Sequence, residues 1–311
     1  MPKNISTESV QIFTQYPHGN KDIHLRLKDV KNSLKNKNNP LLKEGLEFTK
    51  TLILKNKIIL DAGCGSGNKT ISIAAKTDAS LVLGVDGSSK AIENAKFFQK
   101  ELNIKNLKFI NGKLEDLQLL INDSIEGKKI DIIVNYQNLH HVHDWKNVLK
   151  IFYDILDKDG VLITNIADPT SGMSQFMLRN KLCYYLGSTP ISRAKIAKFL
   201  FGFLEKKKNY GNIKEDDFYV DRFGSYYHWI FPSIMIKELE KIGFQVFETF
   251  PQFRLNDWLI ANKNSKRATN IYYCINFFPP SKYFFSFLMR FRQWILGEDT
   301  RSYYAKKIKK D

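Results

Sequence analysis

Cysteine is scarce in this sequence: its 311 residues include only Cys64, Cys183 and Cys274. The number is odd, the gaps are wide and no two sit at a paired spacing. That excludes a disulfide framework or a cysteine-ligated zinc site and fits a reducing compartment. Long apolar runs are missing too. No stretch of about 18 uncharged apolar residues occurs, so no ordinary membrane span is expected. The opening MPKNISTESVQIF carries no apolar segment behind its charge. No secretory leader is therefore expected, and the expected location is cytoplasmic. Internal repeats are absent. Acidic residues are the minority charge, 32 Asp and Glu against 48 Lys and Arg, for a net charge of +16.

Apolar material is ample, with 43% hydrophobic and 13% aromatic residues. The length suits one large α/β domain with additions, or two small domains. The charge is unevenly spread. Residues 51–168 hold 15 basic and 15 acidic residues, whereas residues 169–311 hold 24 basic and 12 acidic. An excess of that kind favours an anionic partner such as a membrane surface, a nucleic acid or an acidic substrate. A lysine-rich solvated surface produces the same count.

From Lys57 onward the pattern becomes regular. Apolar runs at 57–61, 81–86, 107–110, 130–134 and 160–166 alternate with helical spacing at 69–76, 88–102 and 145–156. A second helix–strand pair follows at 232–242, closed by Gly243, and 245–250. A helix is also expected near 41–53, and 301–308 reads as a closing edge strand. Strands alternating with helices predict a doubly wound, mainly parallel sheet, and uninterrupted apolar strands predict that both faces are covered. Residues 169–228 and 253–299 break the rhythm and read as insertions, the first a helical cap over the sheet. The chain thus divides into an N-terminal segment at 1–49, a core at 50–168, the cap at 169–228, and the rest of the sheet at 229–311.

Asp61-Ala-Gly-Cys-Gly-Ser-Gly67 lies between the first strand and its helix, and Asp86 closes the next strand. Glycines there let backbone approach a ligand, and a carboxylate about 20 residues on suits a pair of ribose hydroxyls. A dinucleotide site wants G-x-G-x-x-G, but the third position is Asn68. The spacing is instead G-x-G-x-G.

The runs LDAGCGSG and GVDGS resemble the first two motifs of class I S-adenosylmethionine-dependent methyltransferases, and the similarity extends over about 110 residues through the fifth strand. The resemblance implies a seven-stranded Rossmann-like fold and S-adenosylmethionine as cofactor. It assigns Asp61, Gly63, Cys64, Gly65 and Gly67 to the methionine half, and Asp86 and Gly87 to the ribose. Leu114 and Glu115 then fall at the adenine, and Asn135 closes the site after the fourth strand. One departure stands out: Lys113 occupies a position where such enzymes usually carry an acid that accepts from the adenine amino group, and lysine cannot accept a hydrogen bond. Glu115, Asp116 or backbone can substitute.

Leu139-His140-His141 resembles the segment that faces the transferring methyl group in many small-molecule methyltransferases. If the acceptor is a hydroxyl, a base is needed, and histidine titrates near neutrality. His140 is the first candidate and His141 the second, with Tyr16 folding over from the N-terminus. The alternative is a structural role, one ring bound to backbone and the other solvated. His141, His143 and Asp144 have no further ligand cluster to join, so no metal is expected.

The aromatic, basic segments 196–208 and 283–296 admit four readings: ordinary core packed on the sheet, a lid over a greasy substrate, a dimer face, or contact with a membrane interface. The first is preferred for 283–296. The resulting expectation is a methyltransferase acting on a small hydrophobic or anionic acceptor at oxygen, carbon or nitrogen. The rivals are an RNA or protein methyltransferase and a non-catalytic module that binds cofactor and a membrane or partner.

Overall fold

The computed structural model of the chain describes residues 5–15, 22–35, 52–169, 173–202, 215–251, 266–296 and 300–308. Two helices come first, α1 (Ile5–Gln15) and α2 (Ile23–Lys35). Then β1 (Ile58–Ala62), α3 (Asn68–Lys76), β2 (Leu81–Asp86), α4 (Ser89–Leu102), β3 (Leu107–Asn111), α5 (Leu117–Ile125), β4 (Ile130–Tyr136), α6 (Trp145–Ile155) and β5 (Leu156–Ala167) alternate. Three cap helices follow: α7 (Met173–Leu186), α8 (Pro190–Phe201) and α9 (Glu215–Phe223). The chain ends with α10 (Pro232–Ile242), β6 (Phe244–Pro251), α11 (Lys266–Phe277), α12 (Ser281–Leu296) and β7 (Thr300–Lys307). The helix expected near 41–53 falls largely outside the described residues, and Leu52–Leu54 are not helical.

The seven strands form one sheet in the order β3-β2-β1-β4-β5-β7-β6. The first five are parallel, and β7 runs antiparallel to both β5 and β6. Strand alternation sends neighbouring residues to opposite faces. Leu60, Leu162 and Tyr303 join the core under α5, α6 and α10, while Ile59, Ile163 and Tyr304 join the core under α2, α3 and α4. Burial on both faces explains why these strands read as continuous apolar runs. Helix α6 buries Trp145, Val148, Leu149, Phe152 and Ile155, one stripe at helical spacing. Its start is set by Asp144, whose side chain accepts from Asn147 N.

The sheet corrects one expectation. β7 is an interior strand, paired on both sides, and β6 is the edge. Ser302, Tyr303, Tyr304 and Ala305 are buried despite the charged residues at both ends of the segment, because its centre is apolar on both faces.

The cap has a core of its own. Phe176, Met177, Cys183, Ala194, Ala197, Tyr219, Val220 and Phe223 pack together, and Ile12 of α1 joins them. A buried ion pair ties α1 to the cap. Arg193 donates from Nη1 to Glu8 Oε1 at 2.7 Å and to Gly224 O at 2.8 Å, and from Nε to Gly187 O at 2.9 Å. Its guanidinium lies 3.8 Å over the Tyr184 ring. The preferred reading of 283–296 as ordinary core does not hold where its side chains are described. Tyr283 is 80% exposed, and Phe284, Phe287 and Leu288 are exposed as well.

Candidate active site

The order of strands reverses between β1 and β4, and ligands of doubly wound sheets bind in the crevice beyond the carboxyl ends of strands at such a point. A cavity of about 470 Å³ opens there. The loop after β1 forms its floor. Gly63 N and Cys64 N donate to Val85 O of β2 at 2.7 and 3.0 Å, which anchors the turn. Gly63 and Gly65 both have φ in the left-handed region, +80° and +54°. A side chain at Gly63 would collide with Asn138, and one at Gly65 would project into open space. Glycine is thus required twice, once for close packing and once to keep the cavity clear.

Asp86 closes the turn from the other side. Its Oδ2 accepts from Gly65 N and its Oδ1 from Ser88 N, both at 2.8 Å. Asp86 itself lines the cavity. Asp61 also lines it, buried, with Oδ2 accepting from Thr70 Oγ1 at 2.7 Å. Burial pushes its carboxyl up to about 6, against the pull of that bond and of Lys69. The Cys64 thiol is pushed well up by burial and by the charges of Asp86 and Asp61, so it borders the cavity as an inert group.

The loop after β4 interlocks with this floor. Asn138 Nδ2 donates to Ala62 O at 2.7 Å and fills the space left by Gly63. Asn135 is fully buried behind it, donating to Ala62 O at 2.9 Å and to Asn138 Oδ1, and accepting from Thr164 Oγ1 at 3.1 Å. Asn135 therefore orients Asn138 and does not itself line the cavity. Gly67 is likewise set back from it, at the start of α3 against Phe109.

The two histidine rings lie 4.4 Å apart and both meet Tyr227, but only one of them lines the cavity. His141 lines the cavity, with Nδ1 3.3 Å from Ser225 Oγ and Phe13 edge-on at 5.1 Å. His140 does not line it. Its ring stacks on Tyr227 at 5.0 Å, and Nδ1 accepts from Ala167 N at 3.4 Å. Burial, with a smaller push from His228, lowers its pKa to about 3. It stays neutral at physiological pH, and of the two rings only that of His141 lines the cavity. Tyr16 lies outside the described residues.

Helix α1 roofs the cavity with Ser6, Ser9, Val10 and Phe13. Ser6 donates to Glu115 Oε1 at 2.5 Å and accepts from His143 N at 2.7 Å, while Thr7 Oγ1 accepts from Lys113 Nζ at 2.8 Å. Lys113 is thereby held against α1, and Leu114 and Glu115 remain in the cavity wall. Sequence reasoning missed Arg26 and Lys69, which also line the cavity. Arg26 donates to Ser66 Oγ at 2.5 Å, and Lys69 Nζ sits over the Tyr136 ring. Lys69 could have been suspected from its place in the first turn after the glycine loop. Nothing local marks Arg26, which arrives from 40 residues away.

A family described as "Methyltransferase domain" matches residues 53–215, just over half of the chain. The chain belongs to this family. It is thereby a member of the class I S-adenosylmethionine-dependent methyltransferase family. A ubiquinone biosynthesis O-methyltransferase of Pelagibacter ubique is 34% identical over 109 residues, which are 35% of this chain and 41% of that protein. A probable cobalt-precorrin-6B C(15)-methyltransferase (decarboxylating) of Methanocaldococcus jannaschii is 31% identical over 113 residues, 33% of this chain and 61% of that one. The chain thus matches less than two thirds of either relative's length. The fold is shared with the plantazolicin methyltransferase BamL, crystallised with a substrate analogue and S-adenosylhomocysteine. That structure has a TM-score of 0.51 at 14% identity and covers 98% of this chain and 97% of its own.

Among the described residues no group of three or more His, Cys, Asp or Glu side chains is placed to hold a metal ion. Among the same residues no helix is long and apolar enough to cross a membrane.

Proposed function

We propose that the protein transfers a methyl group from S-adenosylmethionine to a small hydrophobic or anionic acceptor. The observation that carries this reading is the glycine turn clasped by Asp86, open at Gly65 onto a cavity that His141 also lines. The residues present fit the cofactor. Backbone at Gly65 is bare where an amino-acid moiety must approach, Arg26 and Lys69 suit its carboxylate, Asp86 suits the ribose, and Leu114 with Glu115 suits the base. The bound sulfonium supplies an already activated methyl group.

What remains for the chain is alignment and proton management. The roof of α1 and the loop of Asn138 exclude water and hold the acceptor in line. His141 takes the proton of a hydroxyl acceptor. In the tautomer with hydrogen on Nδ1, the ring donates to Ser225 Oγ and keeps Nε2 as the basic atom. His140 holds the loop by stacking on Tyr227. The names of the two relatives, a ubiquinone biosynthesis O-methyltransferase and a probable cobalt-precorrin-6B C(15)-methyltransferase, support a small-molecule acceptor. The basic carboxyl-terminal region favours an anionic surface as a further partner over a nucleic acid, for which no recognisable docking motif is present.

Calorimetry with S-adenosylmethionine and S-adenosylhomocysteine tests the reading. Asp86→Ala should weaken binding by roughly 10- to 100-fold, the value of a charge-assisted hydrogen bond. With methyl-labelled cofactor and a panel of phenols, quinols and carboxylates, His141→Gln should lower turnover about 10²- to 10⁴-fold without changing cofactor affinity. No cofactor binding by the wild type sinks the proposal. Binding without turnover on any acceptor reduces the protein to a binding module.

A further inference from the structure

The aromatic residues of α11 and α12 are not among those of the cap core or the cavity lining. These two helices form a hairpin whose connection is Phe277-Phe-Pro-Pro-Ser-Lys-Tyr-Phe284. The prolines end one helix and launch the next, which places aromatics on both sides of the turn. Phe277 is 94% exposed, and Tyr273, Phe278, Tyr283 and Phe284 are exposed with it. Tyr273 and Phe277, four residues apart, share one face of α11.

The exposed surface continues on α7, which α12 contacts. Helix α7 is apolar on two sides. Phe176, Met177, Cys183 and Tyr184 are buried, whereas Leu178, Leu182 and Tyr185 form an exposed stripe at spacings of four and three. A helix apolar on both sides normally has partners on both sides. None of the hairpin residues lines the cavity.

Charge decides what the partner is. Residues 266–296 contain Lys266, Arg267, Lys282, Arg290 and Arg292 and no acidic residue. Two copies meeting through this segment would each bring basic residues and no acidic one. An anionic lipid surface is complementary to it: aromatic side chains settle at the boundary between headgroups and acyl chains, and each basic residue near the surface adds attraction. No described helix can span a bilayer, so the hairpin would lie on the membrane.

We propose that the α11–α12 hairpin, together with the outer stripe of α7, docks the protein onto an anionic membrane surface. The proposal is independent of which acceptor is methylated.

Vesicle flotation tests it. The full chain should float with vesicles of phosphatidylcholine and phosphatidylglycerol in equal parts, and at least about tenfold less with phosphatidylcholine alone. Phe277→Ser/Phe278→Ser/Tyr283→Ser/Phe284→Ser should lower the bound fraction at least about tenfold while S-adenosylhomocysteine affinity stays within about twofold of wild type. Lys282→Glu, a single exposed change with little risk to folding, should weaken binding to the anionic vesicles alone. The proposal is overturned if the wild type floats with neither vesicle, or if the four-residue variant floats as well as the wild type. It is equally overturned if sedimentation finds a wild-type dimer that the variant loses, or if these aromatics are needed for binding a single-stranded RNA oligonucleotide. Loss of cofactor binding in the wild type would sink the proposed activity and leave this inference standing.

Discussion

Phe223 on α9 and Phe277 on α11 are the same side chain in the same kind of helix, yet the first is fully buried and the second is 94% exposed. Both belong to additions built onto one sheet. The cap gathers three helices and α1 around a common core and pins α1 with Arg193, Glu8 and Tyr184. The hairpin has two helices and touches the rest of the molecule chiefly through α7. Two helices enclose little volume, so their apolar surface has nowhere to go within the chain. The contrast teaches that aromatic content alone does not make a core. What matters is whether enough elements converge to close one, and whether polar anchors hold them in register.

That comparison can be broken or sharpened by measurement. The largest effect is expected at the pin. Arg193→Leu leaves Glu8 without its cationic partner and removes the backbone-directed bonds to Gly187 O and Gly224 O, so urea denaturation should show a loss of about 3 kcal/mol. Cofactor affinity should fall with it, because α1 roofs the cavity. A change below about 0.5 kcal/mol would mean that α1 is not held by this contact.

His140 should give the next largest effect. Its folded pKa of about 3 lies below the usual 6.5, so the unfolded chain binds more protons between those values and stability falls as pH drops through that window. Between pH 7 and pH 5 the loss amounts to about 2 kcal/mol. Asp61 acts in the opposite sense: its folded pKa, raised to about 6, makes the folded state the better proton binder between 3.8 and 6. The readout is therefore the difference between wild type and His140→Phe, which retains the stacking on Tyr227 and cannot titrate. Parallel pH profiles for the two would contradict the buried neutral imidazole. Phe277→Ser should have the smallest effect, within about 0.5 kcal/mol, because the side chain is already in solvent. A clear destabilisation there would place the hairpin with the cap and erase the contrast.

Much of the sheet was legible in the residues. The run at 81–86 is β2 to the residue, the helix at 232–242 ends at Gly243 with φ +119°, and Ser88 accepts from Ala91 N to open α4. These are local signals: an apolar run, a left-handed glycine, a short polar cap. Of the residues assigned to the cofactor, Asp61, Gly63, Cys64, Gly65, Asp86, Gly87, Leu114 and Glu115 line the cavity, whereas Gly67 and Asn135 stand behind it. The motif marks the neighbourhood, and only packing separates wall from support. Which of the two histidines borders the cavity is hidden for the same reason. Both rings meet Tyr227, and no sequence pattern says which of them will also border the cavity. Residues 301–308 were misplaced because an edge strand and a short interior strand with charged ends look alike until their neighbours are known.

By itself the sequence determined the alternating core, the glycine turn with its acid and hence the cofactor family, because each is written within a few residues by steric and apolar patterning. Tertiary structure alone decided that Arg26 reaches the glycine loop, that Arg193 clasps Glu8 from 185 positions away, that His141 faces the cavity, and that the hairpin aromatics stay outside. Those outcomes rest on contacts between distant segments, and the closing of such contacts depends on the volume and charge that the whole fold brings together.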